Sequence, residues 1–479
     1  MTNNISKSIV SGAIWSAFQM IGTKVFSMLG QLILAWILLP QDFGKISLVY
    51  TLTSLGIVLQ NFGLTDVLIS RGKSFNVLIP LAKSITLVLA ATCLIIILIL
   101  GVIGGIIYND IQITYLVLIF SLSIPFNSFS VIPDAKLRLA LRFKQLSLAQ
   151  FYSVFLTQLF TIILALLSFG VYSFVIPTVI VAFLNYIYLN FHSGIGYAFK
   201  ITFKRWNHLV SNSAWGFIYA ICQRVIQQFD FAVLGLFALQ SEVGIYYLAF
   251  SLSVQAIGLL VGSIAPVLFP ALSKVPKDDK IQLKVIILRI TSVLALLGMP
   301  FALWQAVSVK PLILLFLPQK WHDCIYLVQI LSIGVGFQVV GSLWTVALRL
   351  KADFKKQALY SVLSSIYFLM LIIPFSYFYK STGTAIAVSL FNITSSPILI
   401  YFSYKYFDIN FREVIYPFIK YFVISSIIFG GIFLITTLFE NIYINLFLNS
   451  ILSPIVYGVI VFIADRNLIL DLFYKFKRR

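Results

Sequence analysis

The stretch SGAIWSAFQMIGTK, residues 11–24, recurs as SNSAWGFIYAICQR, residues 211–224, and this repeat decides how the chain is built. Each stretch lies in a long apolar segment and ends on a cation, Lys24 in the first and Arg224 in the second. A charge at the middle of a membrane helix costs about 2.5–3.5 kcal/mol on insertion scales, so it rarely occurs without a partner or a function. The repeat therefore indicates two related halves that each place one cation at a comparable depth.

Further matches extend the repeat along the chain. LPQDFG, residues 39–44, aligns with LQSEVG, residues 239–244, at the same offset of 200 residues. Farther on, YLVLIFSLSIPF, residues 115–126, aligns with YLVQILSIGVGF, residues 326–337. This second match continues through Phe143-Lys144 and Phe354-Lys355. Matches of this length in the same order indicate a duplicated unit.

The composition identifies the class of protein. The chain has 479 residues, of which 60% are hydrophobic and only 10% are charged, with a mean hydropathy of +1.01. A soluble protein carries about 25% charged residues. Apolar stretches of about 20 residues, the length that crosses a bilayer, follow one another almost without pause. The sequence therefore predicts an all-α polytopic membrane protein.

Fourteen transmembrane helices are predicted from the apolar stretches. They are residues 9–38, 43–69, 80–107, 113–135, 145–168, 171–194, 208–236, 243–271, 283–308, 325–347, 356–378, 382–404, 415–437 and 442–463. The short stretch PLILLFLP, residues 311–318, is expected to be an interfacial segment anchored by Trp321, because it is too short to span.

The basic residues set the predicted orientation. Twenty-six of the 34 Lys and Arg residues fall on one side when the spans are counted off. This distribution predicts that both termini are cytoplasmic, because Lys and Arg accumulate on that side. It also explains the net charge of +19 without a nucleic acid partner. The loop KVPKDDKIQLK, residues 274–284, is expected to contact anionic membrane lipids. The predicted outer loops hold Lys45, Lys310, Lys320 and Lys380.

The repeat and the spans together predict the domains. Six spans separate the matching positions, so the two halves have the same orientation in the membrane. We predict a six-helix bundle over residues 1–199, its repeat over 200–406, and two extra helices with a basic cytoplasmic tail over 407–479. Parallel repeats of this kind place the substrate between them.

The candidate site follows from the polar residues inside the spans. Lys24 and Arg224 are the predicted substrate-binding cations, on helices with one polar and one apolar side. Arg289 is a third candidate, and a snorkelling role fits it equally. Lys420, near the start of its span, is expected to snorkel to the interface. The polar residues expected beside the two cations are Gln31, Gln227 and Gln228.

Two carboxylates within the spans allow two interpretations. Asp66 and Asp230 are candidate acceptors of a coupling proton or sodium ion. Alternatively, the two acids are neutral hydrogen-bond formers or salt-bridge partners, and Lys24 and Arg224 are structural, bonded to carbonyls or paired with these acids. The three cysteines and three histidines are scattered without metal-ligand spacing, so neither a metal nor a cofactor is predicted.

Several motifs resemble a known family. LLPQDFGKISL (38–48), NFGLTDVLISR (61–71), DFAVLGLFALQSEVGIYYLAFSLS (230–253) and VLFPALSK (267–274) are similar to those of the polysaccharide transporter family of O-antigen and exopolysaccharide flippases. That family belongs to the MATE-like superfamily of multidrug, oligosaccharidyl-lipid and polysaccharide exporters. The similarity runs from about residue 5 to residue 405. The resemblance implies two six-helix bundles that face each other in a V, followed by two C-terminal helices, in a bacterial inner membrane.

The resemblance also implies the function. The expected cargo is a polyprenyl-diphosphate-linked oligosaccharide, moved to the outer leaflet by alternating access, with a polysaccharide polymerase and other assembly proteins as possible partners. A lipid II flippase and a multidrug or cation antiporter of the same fold are alternatives. Lys24 and Arg224 speak against a cationic drug as cargo. A membrane polymerase or ligase needs a large outer loop with catalytic side chains, and the predicted outer loops are short, so an enzyme is not expected.

Overall fold

The computed structural model describes residues 2–61, 64–70, 72–196, 214–273, 280–350, 354–404 and 409–466. Within these ranges the chain is helical and has no β-strand. The helices are α1 (Thr2–Ile37), α2 (Pro40–Asn61), α3 (Leu64–Ser70), α4 (Phe75–Ile107), α5 (Ile111–Ser121), α6 (Ile124–Leu139), α7 (Phe143–Leu166), α8 (Tyr172–Ser193), α9 (Ala214–Phe237), α10 (Gln240–Ser273), α11 (Lys280–Phe316), α12 (Cys324–Leu350), α13 (Phe354–Ser403), α14 (Phe411–Thr436), α15 (Ile442–Leu446) and α16 (Ser453–Ala464).

The helices coincide with the predicted spans, and the all-α polytopic fold is confirmed. Some spans are composite: α2 and α3 make the second, and α5 and α6 make the fourth. Helix α13 holds two spans, because Lys380 has a non-helical backbone (φ 46°, ψ −130°) between them. By length and hydropathy alone, nine helical stretches of the described ranges qualify as membrane spans, and one of the nine is this bent α13.

Two details of the sequence prediction are wrong. The stretch 311–316 is not a separate interfacial segment, because α11 continues through Pro300 and Pro311 to Phe316. Trp321 is fully buried and therefore does not anchor the chain at the membrane surface. Within a protein core, a large indole adds buried apolar area that outweighs its preference for the interface.

The chain divides into two compact units. The first comprises Met1–Leu248, Gly262–Val267 and Lys351–Val388. In this unit α1 packs along α7, and α2 packs against α4 and α9. Hydroxyl groups contribute contacts between helices, as where the Ser365 Oγ donates to the Cys222 carbonyl at 3.2 Å. Such hydrogen bonds are each worth about 0.6 kcal/mol between membrane helices.

The second unit comprises Ala249–Val261, Leu268–Leu350 and Ser389–Arg479. Helix α11 packs against α12 and α14. A π-helical turn over Phe447–Leu452 joins α15 to α16, and Trp304 of α11 donates from Nε1 to the carbonyl of Ser450 in this turn at 3.2 Å. The two C-terminal spans therefore pack onto α11.

Lys420, which was expected to snorkel, forms an ion pair at the end of the last helix. Its Nζ lies 2.5 Å from Asp465 Oδ1, and the Tyr421 hydroxyl donates to Asp465 Oδ2 at 3.1 Å. This pair connects α14 to the end of α16. The predicted lipid-contacting loop includes residues 274–279, which lie outside the described residues.

Candidate functional site

Lys24 lies on the side of α1 that faces away from α7. The opposite side of α1 packs closely on α7: a Cβ on Gly22 would lie 2.7 Å from the Phe151 ring, and one on Gly30 would lie 2.3 Å from the Gln158 side chain. Lys24 is about 160° around the helix from the centre of that contact. Its side chain is half-buried, and no described residue pairs with its ammonium group.

Arg224 occupies the matching place on α9. Its side chain is half-buried, and within the described part of the chain it has no hydrogen-bond or ion-pair partner. Gln227 and Gln228, at i+3 and i+4, lie on the same face. Gln227 is exposed, and the Gln228 carbonyl accepts a hydrogen bond from Thr51 Oγ1 of α2 at 3.1 Å. Gln31, two turns after Lys24 on α1, is buried.

Asp230 is enclosed beside α10. Its residue is only 1% exposed, and its Oδ2 accepts a hydrogen bond from the Tyr246 hydroxyl at 2.8 Å. Its Oδ1 has no partner among the described residues. Arg224 lies six residues before Asp230, which corresponds to a rotation of about 240° around the helix, and it makes no ion pair with Asp230. The interpretation that these two residues neutralise each other therefore does not describe the structure.

The remaining predicted site residues lie elsewhere. Arg289 is in α11 of the second unit, where its half-buried side chain interacts with the protein. The backbone of Asp66 is in α3, and its side chain lies outside the described residues. The described residues contain no group of three or more His, Cys, Asp or Glu side chains that would hold a metal.

The internal repeat recurs as a pair of equivalent contacts. The Lys144 Nζ of α7 lies 5.0 Å from the ring centroid of Trp15, and the Lys355 Nζ of α13 lies 5.9 Å from that of Trp215. Both tryptophans and both lysines were aligned by the sequence repeat. Cation–π contacts at exposed sites contribute about 0.5–1 kcal/mol. In each repeat, the fifth predicted span thus contacts the first through the same kind of lysine–tryptophan pair.

The segments LPQDFG and LQSEVG contact each other directly, in what we call the paired-segment contact (residues 39–44 with 239–244). A Cβ on Gly44 would lie 1.9 Å from the Gln240 carbonyl oxygen, and a Cβ on Gly244 would lie 1.8 Å from the Pro40 carbonyl oxygen. The contact is reciprocal, since each glycine faces the start of the other segment. Only glycine allows two backbones to approach this closely.

A polar cluster adjoins the paired-segment contact, and we call it the Asp110 cluster (Lys45, Asp110, Gln112 and Gln240). The Lys45 Nζ lies 2.8 Å from Asp110 Oδ2 and donates to Gln112 Oε1 at 2.6 Å. Gln240 Nε2 donates to the same carboxylate oxygen at 3.0 Å. The carboxylate thus links α2 of the first repeat to the start of α10 in the second.

Two opposing effects act on the pKa of Asp110. Burial raises this pKa, but hydrogen bonds from Lys45, Gln240 and the backbone N–H of Gln112 outweigh burial, and the pKa lies below its usual value. A carboxylate whose pKa is lowered stabilises the contact fully when the pH is above the pKa of the free group. This stabilisation is lost as the pH falls through the lowered pKa. The cluster is therefore at full strength at neutral pH.

We predict that Asp110→Asn loosens the paired-segment contact. Hydrogen bonds to charged groups contribute about 1.5–3 kcal/mol each, so amide exchange in residues 40–46 and 240–244 should accelerate at least tenfold at pH 7. Asp134→Asn is the matched control, because its ion pair with Arg138 lies within one exposed helix turn. Acidification of the unaltered protein should reproduce the effect only below the ordinary carboxyl pKa of about 3.9. Equal exchange in both variants would contradict a role for the cluster.

Sequence reasoning missed this cluster. Lys45, at the start of the second predicted span, was counted with an outer loop, and Asp110 and Gln112 lie between two predicted spans. The available signal was the N-cap pattern of Asp110, whose Oδ1 accepts from the Gln112 N–H at 2.9 Å. That pattern predicts a helix start and says nothing about partners 65 and 130 residues away.

Comparisons with known proteins agree with this architecture. The structure is similar to that of the lipid II flippase MurJ in an inward closed conformation, with a TM-score of 0.79 at 17% identity over 95% of this chain and 100% of that chain. An inward-facing MATE family multidrug transporter of the MOP superfamily follows, with a TM-score of 0.57 at 12% identity over 83% and 98%. A Vibrio cholerae MATE transporter gives 0.52 at 12% identity over 85% and 97%.

These likenesses establish the fold, and the family model adds the assignment. Among curated proteins, none has a matching sequence. A family model described as polysaccharide biosynthesis protein matches residues 33–326, more than half of the chain. The matched region includes Arg224 and the paired-segment contact. With its MurJ-like and MATE-like helical fold, this multi-pass membrane chain belongs to the polysaccharide biosynthesis protein family.

Proposed function

We propose that the protein is a flippase that moves a polyprenyl-diphosphate-linked oligosaccharide, an O-antigen or exopolysaccharide repeat unit, across the bacterial inner membrane. One observation carries the proposal: Lys24 and Arg224 occupy matching positions in the two repeats, half-buried and without a partner in the described residues. An unpaired cation inside a membrane costs free energy, so the presence of two such cations supports an anionic ligand.

The chemistry of the two cations suits a diphosphate. Arg binds phosphate oxygens through its planar fork, and Lys binds them as a compact point charge. Gln31, Gln227 and Gln228 are the further side chains that we propose for the headgroup and the first sugar. The polyprenyl chain remains in lipid. The membrane potential contributes about 2.3 kcal/mol per charge per 100 mV, which favours outward movement of an anion when the inside is negative.

Alternating access requires that one end of the protein open while the other closes. With both termini in the cytoplasm, as the basic residues favour, the paired-segment contact lies at the outer end. Its close backbone approach, reinforced by the Asp110 cluster, supports a role for these two segments in closing that end. We propose that release outward separates these two segments. The two bundles, 1–199 and 200–406, are the bodies that would rock, and residues 407–479 accompany the second.

Deletion of the gene in its host tests this function. We expect surface polysaccharide to disappear and a lipid-linked oligosaccharide to accumulate on the cytoplasmic side. Purified protein in proteoliposomes should then move that precursor across the bilayer, while empty liposomes do not. Unchanged surface polysaccharide in the deletion strain, with no accumulated precursor, would contradict the proposal. Dependence of export on a polysaccharide polymerase would identify a partner.

A lipid II-type cargo is the second candidate. The observation in its favour is the TM-score of 0.79 to the lipid II flippase MurJ along the whole of that chain. Both cargoes carry a polyprenyl diphosphate, so both suit Lys24 and Arg224. The same deletion strain separates them: accumulation of a peptide-bearing precursor identifies the second candidate, and accumulation of a peptide-free oligosaccharide identifies the first.

We further propose that Asp230 couples transport to an ion gradient, with Asp66 as the second candidate carboxylate. Support comes from the burial of Asp230 and from its Oδ1, which has no hydrogen-bond partner in the described part of the chain. We predict that Asp230→Asn abolishes the stimulation of flipping by an imposed proton or sodium gradient and retains the rate without a gradient. Glu440→Gln, at an exposed position, is the control. Full stimulation of Asp230→Asn would exclude this role.

A further inference from the structure

A polar cleft adjoins the paired-segment contact, and we call it the Tyr108 cleft. Its volume is about 330 Å³, and the residues that form it belong to α2, the end of α4, and the turn from α9 to α10. Its walls include Gln41, Leu48, Tyr108, Gly235, Gln240 and Ser241. A cavity of this size lies in the range of small-ligand sites. It is separate from Lys24 and Arg224, neither of which lines it.

The chemistry of the cleft is neutral. Among the described residues that line it, none is charged, and the polar ones are two amides and two hydroxyl groups. A diphosphate would find no cation in its walls, and a cationic drug would find no carboxylate. Amides and hydroxyls both donate and accept hydrogen bonds, which is the pattern that the hydroxyl groups of a sugar require.

Tyr108 and Gly235 shape the apolar wall. The Tyr108 hydroxyl donates to the Ala232 carbonyl at 3.1 Å, which holds the phenol ring in place. A Cβ on Gly235 would lie 2.9 Å from that ring and 2.7 Å from Leu48. Glycine at this position therefore lets the ring lie close to the α9 backbone. The result is a fixed aromatic surface beside amide groups, suited to the C–H face of a saccharide ring.

We propose that the Tyr108 cleft binds the sugar portion of the cargo, as a saccharide site distinct from the diphosphate site. This inference rests on the proposed flippase function and adds to it a place where the oligosaccharide is held at the end of the protein that contains the paired-segment contact. The bound ligand is an uncharged segment of one or two sugar residues, recognised by Gln41, Gln240 and Ser241 and packed on Tyr108.

Gln240 connects the cleft to the Asp110 cluster. Its carbonyl oxygen faces Gly44 across the paired-segment contact, and its side-chain Nε2 donates to Asp110 at 3.0 Å. The Gln240 amide carries two N–H groups, and a sugar hydroxyl that takes the one now donating to Asp110 removes that hydrogen bond. Saccharide binding therefore weakens the Asp110 cluster, and by linkage a loosened cluster binds saccharide more tightly. The arriving sugar thus promotes the separation that its release requires.

The test measures binding of two parts of the cargo separately. The full chain in lipid nanodiscs is titrated with the lipid-free oligosaccharide, released by mild acid from the precursor that accumulates in the deletion strain, and with sugar-free polyprenyl diphosphate. The variant is Gln41→Ala with Ser241→Ala, and Gln150→Ala, an exposed glutamine of α7, is the control. Thermal unfolding of each variant checks that the fold is retained.

We expect the double variant to bind the oligosaccharide at least tenfold more weakly than the unaltered protein, through the loss of two hydrogen bonds. It should bind polyprenyl diphosphate with unchanged affinity, and Gln150→Ala should match the unaltered protein for both ligands. Addition of oligosaccharide should also accelerate amide exchange in residues 240–244, which a purely structural cleft would not do.

The results that would overturn the proposal, in whole or in part, are distinguishable. If the unaltered protein binds polyprenyl diphosphate and does not bind the oligosaccharide, the cleft is not a sugar site. The same follows if the double variant binds both ligands as tightly as the unaltered protein does. In both cases the flippase function stands. If oligosaccharide binds without any change in amide exchange, the link through Gln240 is wrong. If the deletion strain accumulates no precursor, the flippase function fails, and the cleft loses its proposed ligand with it.

Discussion

Replacement of both Lys24 and Arg224 by alanine is expected to reduce surface polysaccharide to the level of a strain without the transporter, while lipid-linked precursor accumulates. Each cation is proposed to make charge-assisted hydrogen bonds to the diphosphate, worth about 1.5–3 kcal/mol. Loss of one should lower export about 10- to 100-fold, and loss of both should abolish it. Surface polysaccharide and precursor are quantified in the deletion strain with each variant, and membrane levels are checked by immunoblotting.

Conservative and matched variants make this prediction specific. Lys24→Arg and Arg224→Lys keep the charge and should retain more export than the alanine variants. Lys310→Ala removes an exposed lysine of α11 and should export normally. If the double alanine variant is present in the membrane and exports normally, the two cations are structural charges. The diphosphate site would then have to be sought elsewhere in the protein.

A leucine at Gly44 should stop transport by preventing closure of the paired-segment contact. The Cβ of the new side chain would lie 1.9 Å from the Gln240 carbonyl oxygen. Because this oxygen belongs to the backbone, it cannot move away by a change of side-chain rotamer. Overpacking in a well-packed interior typically costs 1–3 kcal/mol, and a clash with backbone lies at or above the upper end. We expect export below a tenth of normal and amide exchange in residues 240–244 accelerated at least a hundredfold.

Gly216→Leu is the matched control for this variant. It lies in α9, and an added Cβ there meets nothing within 4 Å, so both export and exchange should be unchanged. Gly244→Leu should reproduce the effect of Gly44→Leu, because the contact is reciprocal. Normal export by Gly44→Leu would mean that the contact is not part of the transport cycle. Loss of protein from the membrane in both Gly44→Leu and Gly244→Leu, with Gly216→Leu retained, would instead indicate that the contact is needed for folding.

The membrane architecture was predictable because its signals are local. A span is an unbroken run of apolar residues, and its side-chain hydropathy can be read without knowing its neighbours. The bend at Lys380 was located by the polar stretch between two predicted spans, although its positive φ was not foreseen. The errors arose where burial by other helices decided the outcome. Trp321 is fully buried in the core, which the hydropathy of the stretch before it did not indicate.

The sequence by itself determined the all-helical, multi-span fold, the internal repeat and the alignment of Lys24 with Arg224. These follow from hydropathy and from self-similarity, which are properties of the chain read in order. Only the tertiary structure decided that LPQDFG and LQSEVG contact each other, that Lys45 and Gln240 meet at Asp110, and that Asp230 pairs with Tyr246 rather than Arg224. Such contacts depend on which helix faces meet in space, and a periodic apolar pattern specifies that a face is buried without specifying its partner.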